Sequence, residues 1–191
     1  MAFFDAASQP PTVADLAGLL AGTGHAVRSG DRARLSVIVA DRWRAAALAE
    51  AMTAALGADA DAVEVTDSGR GGLLVRTAPA AALTGLADRF ARGAVKSVPS
   101  GWTPTARALR VWTIAAGRTD AAGYALGVDP HAAHIHPALA DALGRAGLPV
   151  SVVGVRAGGP ALRIRGRRLT ARLRADVGEP PPGGAAHWPA G

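Results

Sequence analysis

The chain contains the same sentence twice. Leu16–Gly24 reads LAGLLAGTG, and Leu109–Gly117 repeats its layout as LRVWTIAAG. LSVIV, ALAEAMTAALG, AVEV and GLLVRT follow the first copy; YALGV, ALADALGRAGL, VSVVGV and ALRIRG follow the second. Such self-similarity constrains the architecture ahead of any local reading, because each copy must form the same supersecondary unit. It divides the chain into a leader (1–11), a first repeat (12–93), a linker (94–104), a second repeat (105–178) and a tail (179–191). Ser97, Pro99, Ser100, Gly101 and Pro104 give the linker its turn-rich composition. Proline and glycine dominate the tail, which is expected to be loose.

Within the first repeat, Thr12 or Asp15 can cap a helix that runs to about Leu20. His25–Arg28 and Arg34–Ala40 read as strands, the second with Leu35, Val37 and Val39 on one face. Trp43–Leu56 is an alanine-rich helix ended by Gly57. Ala62–Thr66 and Gly72–Thr77 form a hairpin, and Ala80–Arg92 a closing helix. In the second repeat Thr105–Ala116, Pro137–Ala146 and Arg168–Val177 are expected helices. Tyr124–Val128, Val150–Arg156 and Pro160–Gly166 are expected strands. The first strand carries the weakest pattern in both copies. The expected class is α+β, with two pseudo-symmetric αββαββα repeats and an open, saddle-shaped antiparallel sheet face.

Apolar residues make up 49% of the chain and charged residues 19%, enough for a substantial core. There is no cysteine, which excludes disulfides and thiolate metal sites. The N-terminus lacks the pattern of a secretory signal, and no apolar run approaches the length of a membrane span. A cytoplasmic protein is the expectation. The net charge of +6 is uneven: residues 1–100 carry 10 basic and 10 acidic side chains, residues 101–191 carry 11 and 5. A basic half suits a polyanion, with nucleic acid the first choice. An arginine-rich composition of the Ala/Gly/Arg kind accounts for the same charge without any partner.

The two motifs and the element order behind them resemble the LAGLIDADG fold. They resemble in particular the degenerate LAGLIDADG-like N-terminal domain of the WhiA sporulation transcription regulators, over about residues 13–178. Gly18, Ala21, Ala115 and Ala116 are small enough for two helices to approach closely at a pseudo-twofold axis. In homing endonucleases of this fold, an acid before the closing glycine of each helix binds a water-activating divalent metal. Thr23 and Ala116 hold those positions here, and neither can be a carboxylate ligand. Asp31 and Asp120 follow the motifs, with nothing in the sequence to place them at the axis. The resemblance therefore implies a protein that is not an enzyme and needs no cofactor or metal. WhiA proteins carry a further helix-turn-helix domain; here only the tail is expected after Val177.

Other motifs offer less. His131, His134 and His136 in PHAAHIHP could hold a metal, but they straddle a turn, where capping is the ordinary role of such histidines. GRGG at 69–72 lacks the ending of a phosphate loop and suits a hairpin turn. Lys96 falls in the linker and is no candidate for a covalent intermediate. Trp43, Trp102 and Trp112 suit a core, and Trp188 could dock on the body or on a partner. The low aromatic content, 4%, argues against base stacking along single strands.

The arginines carry the functional expectation. Leu162 and Ile164 alternate with Arg163 and Arg165, which puts both arginines on the open face of a sheet. Arg156 lies on the partner strand and Arg167 follows directly. In the first repeat Arg76 falls at the place of Arg165, and Arg34 begins a strand. Guanidinium groups in such a row bind phosphates and can pair with guanine. They also serve as an ordinary solvated sheet face. Arg34, Arg76, Arg156, Arg163, Arg165 and Arg167 are the candidate nucleic-acid contacts. The expected partner is double-stranded DNA, met by a monomer in a transcription-associated, regulatory role. The alternative is a protein–protein interaction module, with a transcription-related protein as partner, that keeps the scaffold and has lost DNA binding.

Overall fold

The structure, a computed structural model, describes residues 11–57, 62–69, 71–154 and 159–191. Arg156, and all of the leader except Pro11, lie outside the described residues. The first repeat runs α1 (Ala17–Ala21), β1 (His25–Ser29), β2 (Arg32–Val39), α2 (Arg42–Leu56), β3 (Val63–Asp67), β4 (Leu73–Thr77) and α3 (Thr84–Arg89). A small hairpin, β5 (Ala91–Arg92) and β6 (Val95–Lys96), leads out of it. The second runs α4 (Ala106–Ala116), β7 (Gly117–Asp120), β8 (Gly123–Gly127), α5 (His136–Arg145), β9 (Val150–Val153), β10 (Ala161–Arg165) and α6 (Arg167–Val177). The result is a mixed α+β fold of two repeated units, each built on a four-stranded antiparallel sheet. The strand orders are β1-β2-β4-β3 and β7-β8-β10-β9, the same path twice.

Local chemistry explains the element ends. Asp15 accepts from the Thr12 N–H at 2.8 Å, and together they open the 3₁₀ turn Val13–Leu16 ahead of α1. Thr105 caps α4 by accepting from the Ala108 N–H at 3.0 Å. Gly57 ends α2 in the left-handed region at φ 59°. Pro137 stands in the first turn of α5, where its missing N–H costs nothing.

Three expectations change. The closing helix of the first repeat is shorter, a 3₁₀ turn at Ala81–Leu83 followed by α3, and Ala91–Lys96 pairs as strands. β7 is a strand that the sequence concealed: GRTD is short, polar and joined directly to the motif glycine. The tail is not loose. Trp188 is buried and donates Nε1–H to Gly178 O at 2.7 Å, His187 stacks on Trp43, and Tyr124 donates its hydroxyl hydrogen to His187 O. Two indoles and an imidazole outweigh the flexibility of the surrounding Pro/Gly segment.

One face of each sheet is covered by helices, α2 and α3 over the first and α4 to α6 over the second. The core gathers the inward positions of the strands (Leu35, Val37, Val75, Leu126, Leu162 and Ile164) with Leu48, Trp112 and Leu139 from the helices. α1 and α4 cross at the centre, so the two motifs form the main contact between the repeats, with α2 also packed on α4. Among the described residues no helix is long and apolar enough to cross a membrane.

Candidate nucleic-acid interface

Strand register defines the open faces. Antiparallel partners share a face, and faces alternate along each strand. On the first sheet Arg34 lies opposite Val27, Ser36 opposite Arg76, and Ile38 opposite Leu74, while Leu35, Val37 and Val75 point into the core. On the second, Arg118 and Arg163 flank Ala125, and Arg165 lies opposite Gly123; Leu162 and Ile164 are fully buried on the other side. The alternation read in Ala161–Gly166 is thus present. Counting from the inward pairs Val39–Leu73 and Leu126–Leu162, Arg76 and Arg165 occupy equal places in the two repeats.

The candidate arginines differ in availability. Arg165 and Arg167 are exposed and Arg34 is half-buried; among the described residues these three form no ion pair. Arg167 begins α6 and does not extend the strand. Arg76 donates to Glu64 Oε2 at 2.6 Å, an exposed pair across β3 and β4 that water screens. Arg163 is more constrained: it donates Nη2–H to Asp120 Oδ2 at 2.9 Å, with both side chains largely buried. The Ala122 N–H first, and the Arg163 guanidinium second, hold the Asp120 carboxyl below its ordinary range. Two further basic groups border this surface. Arg118 on β7 donates to Gly159 O at 3.3 Å, and Arg32 on β2 is exposed. Nothing in the sequence pattern marks Arg118, because β7 is four small or polar residues without periodicity. Val27 and Ile38 add exposed apolar surface among the charges.

The centre of the molecule holds a second constellation. Lys96, in the segment read as linker, is largely buried and donates from Nζ to Gly22 O at 2.8 Å and Gly24 O at 2.9 Å. Its counter-ion is Asp129 Oδ2 at 3.3 Å, just past β8. Burial lowers the Lys96 ammonium from its ordinary range, and Asp129 opposes that shift. Burial pushes the Asp129 carboxyl upward, but the His131 N–H, Lys96 and His25 outweigh it and leave its pKa lowered. His25 Nε2, at the exposed start of β1, is 3.8 Å from Asp129 Oδ2.

Arg44 repeats this arrangement at the other motif. It is buried at the start of α2 and donates Nη1–H to Ile114 O at 2.6 Å and Nη2–H to Gly117 O at 2.7 Å. Its counter-ion is Asp41, at 2.9 Å, just past β2. Each motif helix therefore ends on a buried cation, and each cation pairs with an aspartate that follows the second strand of a sheet. The three histidines serve this framework. His136 donates Nε2–H to Asp129 O, His134 donates Nε2–H to Lys96 O, and His131 supplies its backbone N–H to Asp129 Oδ1.

The divalent metals that homing endonucleases of the resembled fold hold do not fit these residues. Thr23 and Ala116 stand at the two acid positions, and the carbonyls of Gly24 and Gly117 already accept from an ammonium and a guanidinium. Asp31 lies in the exposed turn between β1 and β2, and Asp120 is engaged with Arg163.

The sequence matches no protein-family model and no curated protein. Among solved structures, the homing endonuclease I-WcaI bound to its DNA recognition sequence superposes with a TM-score of 0.60 at 13% identity, covering 91% of this chain and 84% of that one. The fold is LAGLIDADG-like. This match corrects one expectation. Thr23 and Ala116 suggested a protein that is not an enzyme, yet the solved structure with the same fold is an endonuclease. Two substituted side chains speak only for metal ligands at those two places, and leave chemistry by other groups open.

Proposed function

We propose that this protein binds double-stranded DNA through the open faces of its two sheets. The observation that carries the reading is the placement of Arg76 and Arg165 at equal positions on those faces, with Arg34 and Arg163 on the same faces; Arg167, exposed at the start of α6, is proposed as a further contact. Guanidinium groups donate in a planar fork that matches phosphate oxygens and the guanine edge. The excess of positive charge in the second repeat supplies long-range attraction for a polyanion. The DNA-bound state of the homing endonuclease that shares the fold supports the same reading. One chain holds both repeats, so a monomer would present the whole surface. The resemblance to WhiA N-terminal domains supports control of transcription as the setting. Arg156, expected from the sequence on the strand that partners Arg163 and Arg165, is included among the proposed contacts.

Fluorescence anisotropy with a labelled duplex, over a salt series, tests this. Affinity should fall steeply with salt, each phosphate contact contributing about −0.9 to the slope of log K against log salt. A folded protein with no measurable affinity for duplex DNA at low salt would overturn the reading.

A further inference from the structure

We propose that Lys96 and Arg44 are internal cations that take the place of divalent ions at the ends of the paired motif helices, so that neither the helix pair nor its DNA contact requires a metal. The C-terminal end of a helix presents carbonyl oxygens without intrahelical partners and the negative end of the helix dipole. A cation belongs there, and this chain supplies one from its own side chains at both ends. The arrangement is reciprocal. Arg44 and Asp41 belong to the first repeat and close the motif helix of the second. Lys96 closes the motif helix of the first repeat while paired with Asp129 of the second. Both cations bond the carbonyl of the motif's closing glycine, Gly24 in one copy and Gly117 in the other. One positive charge beside one carboxylate and a set of carbonyl oxygens is the charge pattern of a metal site, reproduced without the ion.

The Lys96 site has a further property. Three oxygens of hard, metal-ligating type surround Nζ: Gly22 O at 2.8 Å, Gly24 O at 2.9 Å and Asp129 Oδ2 at 3.3 Å. Calcium–oxygen bonds of about 2.3–2.6 Å lie only a little inside those distances. The ammonium therefore occupies a place that an ion could fill if the lysine were removed. Trp112 packs against Gly22, one of the residues whose carbonyl faces Nζ: a Cβ built on Gly22 would lie 3.1 Å from Trp112 Cδ1. That indole can sensitise a lanthanide bound there.

Terbium luminescence excited through tryptophan reads the site directly and without DNA. The wild-type chain should show no saturable emission that calcium displaces. Lys96→Ala should gain such emission, and Lys96→Ala with Asp129→Asn should lose it again. Lys96→Met, which fills the same space without charge, should show none. Saturable, calcium-displaceable emission from the wild type would overturn the inference, as would a folded Lys96→Ala chain that takes up no terbium. If Lys96→Ala does not fold, the wild-type titration still decides. The DNA part rests on the reading proposed above. Duplex affinity at matched ionic strength should agree within about twofold between EDTA and magnesium, against the many-fold losses that removing a charge contact produces. A complex that dissociates in EDTA overturns metal independence. Absence of any DNA binding overturns the proposed function and leaves the terbium result standing.

Discussion

The carbonyl oxygen of Ala108 occupies the space that a side chain on residue 18 would need. A Cβ built on Gly18 would overlap that oxygen and lie 2.8 Å from Trp112 N, both on the backbone of α4. Two helices can come this close only if one of them offers no side chain at the crossing. Gly18 is thus a requirement of the contact between the repeats, which is the physical meaning of the small residues in the motif.

Replacing Gly18 should therefore be costly. Gly18→Val is expected to destabilise the protein by about 3 kcal/mol or more, because backbone on both sides must move. Gly85 in α3 is the control: a Cβ there meets nothing within 4 Å. Gly85→Ala should be neutral or gain about 0.5–1 kcal/mol from helix propensity. Urea unfolding checks both, and equal midpoints for Gly18→Val and wild type would refute the close-packing account.

Arg44→Met should cost about 2–4 kcal/mol, since it leaves the carbonyls of Ile114 and Gly117 buried without their donors. Asp41 is partly exposed and can turn to water, so the loss is carried mainly by the carbonyl side. The ion pair of Arg28 with Asp88 is a useful contrast, because both partners are about half exposed. Arg28→Ala should change stability by less than about 1 kcal/mol. Chemical denaturation of the two variants side by side gives the answer, and an Arg44→Met protein as stable as Arg28→Ala would show that the helix end needs no cation.

Much of this was legible in the sequence, and the reason differs from element to element. The repeated motif announced two copies of one unit, and the alternation of Leu162 and Ile164 with Arg163 and Arg165 announced an open charged face. Period-two patterning survives in sequence because a sheet with one covered face enforces it. β7 left no such trace, since four polar or small residues directly after a helix carry no periodicity. The central cations were hidden for another reason. Lys96 stands among turn-forming residues and Arg44 in an ordinary helix, and their roles depend on reaching carbonyls in a different part of the chain. Linear spacing holds no record of such a contact. The docked tail is a similar case: its composition spoke for looseness, while Trp188 and His187 anchor it through tertiary packing.

The Asp120 carboxylate should give stability a defined acid limb. Held first by the Ala122 N–H and then by Arg163, its native pKa lies below the ordinary value of 3.8, so these contacts stabilise the fold fully above that value. As pH falls below 3.8 and through the lowered native value, the unfolded chain binds the proton first and the contribution is lost. Asp120→Asn should be less stable than wild type near neutrality, and the gap should narrow as the solution is acidified past that point. Urea midpoints measured over a pH series for both proteins test this; a gap that stays constant through the acid range would show that the carboxylate contributes nothing by its charge.

Arg165 and Arg163 should separate DNA contact from structure. Arg165 is exposed and, among the described residues, unpaired, so Arg165→Ala should leave stability within about 0.5 kcal/mol of wild type. It should remove about 0.9 from the salt slope of duplex binding, as one lost phosphate contact. Arg163 has its charge engaged by Asp120 and is largely buried, so Arg163→Ala should act mainly on stability, by leaving a carboxylate without its partner. The salt slope and the urea midpoint of each variant form the test. A slope unchanged by Arg165→Ala would place the DNA contact elsewhere, and a larger change from Arg163→Ala would mean that DNA displaces Asp120 to reach the buried guanidinium.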